Sequence, residues 1–189
     1  MQRLIITAHP SSKGFTHKIA SQIVKASDVN WIKTQIIDLY DKKYYQDYLN
    51  FENVEEEYTK PTEIKTQIQE LITKSDELIF IFPIWWWDMP AVLKNFYDVN
   101  FTAWYAFKYE KWWRVNWLLK WKTAKIYATC DAPWLFYKIF PIRLSWLWWF
   151  ARLWFCGVKL TKFKLIDKMR KKSENELNVI LEQIYAENK

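Results

Sequence analysis

Three short stretches of the chain carry residue types able to hold and tune a small molecule. The first is His9-Pro10-Ser11-Ser12-Lys13-Gly14-Phe15-Thr16. A ring N–H of His9, the hydroxyls of Ser11 and Ser12, and the backbone amides of Gly14, Phe15 and Thr16 suit an anion if a helix begins there and aims its positive end at the loop. A histidine that only caps or packs is the plainer account of His9 taken alone. The second stretch is Phe82-Pro83-Ile84-Trp85-Trp86-Trp87-Asp88-Met89-Pro90. Trp85, Trp86 and Trp87 offer flat apolar surface, and their amides suit the polar edge of a heterocycle; an ordinary core or partner surface is the competing account. The third, Thr129-Cys130-Asp131-Ala132 followed by Phe136 and Tyr137, presents a phenol that either steadies negative charge or simply packs. No histidine follows Cys130 in the chain, so it is not expected to act as a nucleophile.

The hydrophobic pattern predicts the elements that would bring these loops together. A short apolar run at 4–8 reads as a strand and 15–25 as a helix with Ile19, Ala20, Ile23 and Val24 inward. A second strand at 32–39 leads into a polar, Tyr-rich connector reaching about Thr59. Pro61 is read as opening a helix with Ile64, Ile68, Leu71 and Ile72 on one face. The unbroken apolar run 78–82 predicts a strand buried on both faces. A helix at 91–99, strands at 125–129 and 158–165, and a helix at 142–153 complete the alternation. Ser173 and Glu176 form a capping box for a last helix that buries Leu177, Ile180, Leu181 and Ile184. Alternating strands and helices predict one α/β domain over 1–189, a parallel sheet with helices on both faces. Ligands bind such sheets beyond the carboxyl ends of the strands, where the loops 9–16, 83–89 and 129–137 should meet.

Composition excludes several classes. Two cysteines without CxxC spacing and two histidines indicate neither a disulfide framework nor a metal site, and a reducing cytoplasm is expected. The most apolar stretch, 144–158, contains Arg152 and is shorter than the roughly 20 residues of a membrane span, so no transmembrane segment is expected. The net charge of +7 is dispersed apart from Lys162, Lys164, Lys168, Arg170, Lys171 and Lys172, which reads as a solvated face. A nucleic-acid partner is not expected, because the aromatic residues sit in ligand loops and do not interleave with Lys and Arg. The first loop lacks both the GxGxxG and the GxxxxGK[ST] pattern.

One imbalance stands out. The chain has two glycines and 14 tryptophans. Average usage would give roughly 13 glycines in a chain of this size. Trp31, Trp112, Trp117 and Trp121 fall where turn chemistry wants glycine, and a bulky indole in a solvated turn gains nothing for the strain. Both departures are explained together if a codon that the source organism decodes as glycine, UGA being the candidate, is rendered here as Trp. The alternative is a truly Trp-rich protein whose indoles pack together.

Several blocks of this sequence resemble the flavodoxin-like NAD(P)H quinone oxidoreductases. They are Ala8-His9-Pro10 with Phe15, the block from Phe82 through Pro90-Ala91-Val92-Leu93-Lys94-Asn95-Phe96, Tyr105-Ala106-Phe107-Lys108-Tyr109-Glu110, Leu118-Leu119-Lys120 onward to Thr129, and Phe155-Cys156-Gly157-Val158. The resemblance implies a five-stranded parallel sheet in the order 2-1-3-4-5. It also implies tightly bound FMN or FAD, NAD(P)H as electron donor, a quinone or similar small-molecule acceptor, and a homodimer with the site near the subunit interface. It puts His9, Phe15 and Thr16 on the flavin phosphate, with Ser11 and Gly14 in the same loop. Pro83, Ile84, Trp85, Trp86 and Trp87 would lie along the ring, Thr129, Cys130, Asp131 and Ala132 on its other edge, and Tyr137 would be the catalytic phenol. Gly14 and Thr16 stand where many members have Ser and Asn, while Trp104, Trp112, Trp117, Trp121 and Trp154 stand where glycine is usual. Some relatives with this fold are instead ancillary subunits of potassium-efflux systems, and the aromatic stretch 144–155 would then be the docking face.

Overall fold

In the computed structural model, residues 1–50, 61–110, 114–139 and 144–189 are described. The apolar run read as a doubly buried strand is β3 (Glu77–Pro83), and every one of its seven residues is buried. It lies at the centre of a five-stranded sheet with β1 (Gln2–Thr7), β2 (Lys33–Asp38), β6 (Thr123–Thr129) and β7 (Lys159–Ile166), in the order β2-β1-β3-β6-β7. All four pairings are parallel. Counting these five strands alone, the order is the expected 2-1-3-4-5. The labels differ because two short strands intervene: β4 (Phe107–Tyr109) and β5 (Val115–Trp117) pair antiparallel as a separate hairpin.

Alternation along the central strands divides the core in two. Leu4, Ile6, Leu78, Phe80 and Phe82 face one side, where Ile68 and Ile72 of α2 (Glu63–Lys74) and Leu93 and Phe96 of α3 (Ala91–Asn100) cover them. Ile5, Ile79, Ile81 and Tyr127 face the other side, under Ile19 and Ile23 of α1 (Phe15–Val29) and Leu181 and Ile184 of α4 (Glu174–Asn188). Each such side chain taken wholly out of water stabilises the fold by about 1.5 to 3 kcal/mol.

The helix boundaries follow their caps. The Ser173–Glu176 capping box is present as read, and Leu181 and Ile184 are buried while Leu177 and Ile180 are half-buried. At α2 the expectation moves by two residues: Thr62, not Pro61, caps the helix, its hydroxyl accepting from the Lys65 amide. The helix expected over 142–153 runs, within the described residues, from 144 to 156, and its middle, Leu147–Leu153, is wound as a π-helix. Trp148 in this stretch is fully buried against Phe80 and Phe82. Positions 142 and 143, Trp112 and the end of the connector near Thr59 lie outside the described residues.

At the amino ends of the strands a buried polar cluster ties distant parts together. Arg3 donates to Glu77 at 2.7 Å, to Ser27 Oγ at 2.8 Å and to the Asn188 carbonyl at 2.8 Å. Lys125 Nζ reaches Glu77 at 3.2 Å and Asn188 Oδ1 at 2.9 Å, and Asn188 donates to Tyr127 Oη. Buried charge is tolerated here because each group finds a partner.

Candidate functional site

The opposite, carboxyl ends of β1, β3 and β6 open on a cavity of about 420 Å³. Its walls are His9, Phe15, Thr16, Pro83, Ile84, Trp85, Thr129, Cys130, Asp131, Met169 and Arg170. All three loops singled out in the sequence therefore meet at one place. Parallel register does this directly, since Pro83 pairs with Thr129 and the amide of Ile84 donates to the Thr129 carbonyl.

One end of the cavity is built for an anion. Gly14 precedes α1 without a side-chain cap, and the amides of Phe15 and Thr16 in the first turn point out of the helix end. The hydroxyl of Thr16, a residue only 1% exposed, is buried with no hydrogen-bond partner among the described residues. A buried hydroxyl without a partner is costly unless something completes it. His9 is held for the same end: its Nδ1 lies 3.0 Å from the Ser11 amide nitrogen and 3.1 Å from the Ser11 carbonyl oxygen, which fixes the ring by its inner edge. Gly14 is needed there because a Cβ would meet His9 Nδ1 at 2.7 Å. Ser11 and Gly14 thus support His9 from behind and are not among the residues lining the cavity.

The second loop makes the flat wall. Trp85 and Asp88 exchange backbone hydrogen bonds of 2.9 and 3.0 Å around a two-residue turn. Trp86 and Trp87 fill it with φ of 49° and 67°, the signature of a type I′ turn, which normally takes Asn or Gly. Pro83, Ile84 and Trp85 line the cavity, whereas Trp86 is 97% exposed and Trp87 rests on Tyr137 at 5.0 Å. The amide of Trp85 is spent on the Asp88 carbonyl, a correction to the expectation that the amides of Trp85, Trp86 and Trp87 are open to a ligand, and that of Ile84 is likewise taken by Thr129.

The third loop is sewn to the segment after β7. Cys130 N–H donates to the Ile166 carbonyl and Met169 N–H to the Cys130 carbonyl, while Asp131 accepts from the amide and side chain of Arg170. Burial pushes the Cys130 thiol up to about 11, so it stays neutral near pH 7 and is no nucleophile. Burial first, and then the adjoining Cys130, raise the Tyr137 phenol, which keeps its proton through the neutral range. Tyr137 and Ala132 stand outside the cavity wall.

Three contributors were not anticipated. Met169 and Arg170 come from a 3-10 turn that only the β6–β7 pairing carries to this edge. Arg152, on the π-helical stretch, donates to both oxygens of Asp88 at 3.0 and 3.3 Å and lies over the Trp148 ring. It fixes the foot of the Trp85–Asp88 turn, and the sequence signal was there: a lone cation in an apolar, aromatic stretch.

Comparison with known proteins agrees with this architecture. A protein of Haemophilus influenzae described as an uncharacterized NAD(P)H oxidoreductase is 30% identical over 183 residues, covering 90% of this chain and 89% of its own. The guinea-pig NAD(P)H dehydrogenase [quinone] 1 is 28% identical over 124 residues, 56% of this chain but only 45% of its own length. A solved structure from Streptococcus mutans superposes with a TM-score of 0.86 at 30% identity, covering all of this chain and 98% of that one. With the flavodoxin-like fold family matching residues 1–186, the sheet order, the cavity and the relatives converge, and the chain belongs to that family.

Proposed function

We propose that this protein is a flavin-dependent NAD(P)H oxidoreductase that passes hydride from NAD(P)H through bound FMN or FAD to a quinone or similar small acceptor. The oxidoreductase class follows from the family and from the relative that covers nearly the whole chain. The flavin rests above all on one observation: an unpartnered buried Thr16 hydroxyl and an uncapped helix start at one end of a cavity whose other wall is flat and apolar. A flavin, when bound, supplies reversible acceptance and release of hydride.

The chain's own residues do the rest. Thr16 Oγ1, the Phe15 and Thr16 amides and the His9 ring would hold the phosphate. Pro83, Ile84 and Trp85 would pack against one side of the ring and Thr129, Cys130 and Asp131 would edge it, with water excluded by Met169. Tyr137, protonated throughout the neutral range, would donate to a carbonyl oxygen of the acceptor or the ring. The exposed aromatic face of Trp146, Trp149, Phe150 and Trp154 is where we seat a second copy of the chain. Among the described residues no helix is long and apolar enough to cross a membrane.

Purified protein should be yellow, release FMN or FAD on denaturation, and consume NAD(P)H when a quinone is added. Protein that is colourless and takes up neither flavin would overturn the reading.

A further inference from the structure

Six non-glycine residues among those described have positive φ, and five are tryptophan: Trp31, Trp86, Trp87, Trp104 and Trp121. Chemistry runs against this. The left-handed region is the province of glycine, with Asn and Asp next, because a Cβ there strikes the following carbonyl; a bulky side chain is an outlier. Asn, Asp and Lys together offer many more candidates in this chain than Trp does, yet only Lys168 joins the set.

Strain is sometimes kept at a functional site, where it serves the site. Trp86 and Trp87 sit beside the cavity and that account covers them. It does not cover Trp31, Trp104 and Trp121, which line no part of the cavity and are 95%, 72% and 95% exposed. Their indoles gain almost no burial in return for the strained backbone. Trp31 closes α1: its N–H donates to the Asp28 carbonyl at 3.1 Å and that of Ile32 to the Ser27 carbonyl at 2.9 Å. This is the Schellman arrangement, and Trp31 occupies the position that glycine takes in it. The chain closes the helical stretch 144–156 with the same two bonds, Gly157 to Trp154 and Val158 to Leu153, and there the residue is glycine, at φ 83°. Other indoles behave as tryptophans should. Trp148 is wholly buried between two phenylalanines, and Trp154 is in an ordinary helical conformation at φ −58°.

We propose that positions 31, 104 and 121 carry glycine in the organism that makes this protein, through a codon rendered here as tryptophan but decoded there as glycine. Composition and turn chemistry raised the idea for Trp31, Trp112, Trp117 and Trp121, and the family resemblance added Trp104 and Trp154; backbone geometry singles out 31, 104 and 121 and makes no demand for glycine at Trp117, in β5, or at Trp154. The inference concerns the residues of the chain and does not depend on the flavin.

The test is mass spectrometry of tryptic peptides from the protein isolated from cells of its own source, read beside the codons. Peptides lighter by a Trp-to-Gly difference at 31, 104 and 121, with intact Trp148 and UGA at the first three positions against UGG at 148, are the expected result. Tryptophan in those three peptides, whatever the codon, overturns the proposal. A second measurement uses recombinant chain: Trp31→Gly, Trp104→Gly and Trp121→Gly should each raise the thermal midpoint by a few degrees with flavin content unchanged. An unchanged or lowered midpoint in all three argues that the backbone does not ask for glycine there.

Discussion

Two helices of this protein end in the same pair of hydrogen bonds, and the two corners could hardly be more different in surroundings. At the end of α1 the left-handed residue is Trp31, standing in solvent. At the end of the 144–156 stretch it is Gly157, pressed so closely on Trp117 that a Cβ would lie 2.6 Å from that side chain's own Cβ. Both corners make the same backbone demand, but only the second is enforced by packing. The lesson is that φ reports what the chain needs at a corner, while exposure decides how much violation is survivable.

Changing the enforced corner gives the largest expected effect. Gly157→Ala combines positive φ with overpacking and should cost roughly 2 to 4 kcal/mol, read as a lowered denaturant midpoint at constant slope. A cost well under 1 kcal/mol would mean the two corners are alike after all. Next comes Arg152→Ala, which asks whether the helical stretch leading to Gly157 serves the site. Losing the anchor of Asp88 should cost about 1 to 3 kcal/mol and weaken flavin retention together, with flavin content per chain as the readout. Thr16→Val tests the other end of α1. It should lower flavin affinity about tenfold while leaving the apoprotein as stable as before or slightly better, since an unsatisfied buried hydroxyl is removed. Trp31→Gly, at the bare corner, should add only about 1 kcal/mol.

The smallest effect at neutral pH is a titration, and it again separates the corners. Cys156 lies next to Gly157, and burial raises its thiol from 9.0 to about 11, as at Cys130. Below pH 9 both folded and unfolded thiols hold their protons and the stability is fully present. As pH climbs from 9 to 11 the unfolded chain releases them first, so stability declines over that window. Replacing Cys130 and Cys156 by alanine should flatten the decline in thermal midpoint, and an unaltered slope would show that other groups govern it.

Much of this was legible in advance. A run of five apolar residues between Glu77 and Pro83 has only one comfortable place in an α/β protein, and 78–82 lies inside β3, the central strand. Ser173 and Glu176 announce their helix because the capping contacts are local. Local signals also explain the failures. Pro61 fits a first helical turn, but Thr62 has an oxygen for the Lys65 amide and therefore sets the boundary. The β4–β5 hairpin has three residues per strand, too few for a period to register. Met169 and Arg170 reach the cavity through a pairing between strands more than thirty residues apart, β6 and β7, and nothing in their own neighbourhood signals it.

The buried cluster at the far end of the sheet has a bearing on how the last helix is held. Arg3 and the Asn188 carbonyl that completes its hydrogen bonding are 185 positions apart in the chain. If α4 lifts away, the Arg3 guanidinium loses that carbonyl and Lys125 loses the Asn188 side chain, which leaves buried charge short of partners. Fraying of the last helix and opening of the sheet's far edge are therefore one event, while the cavity at the opposite edge is untouched by it.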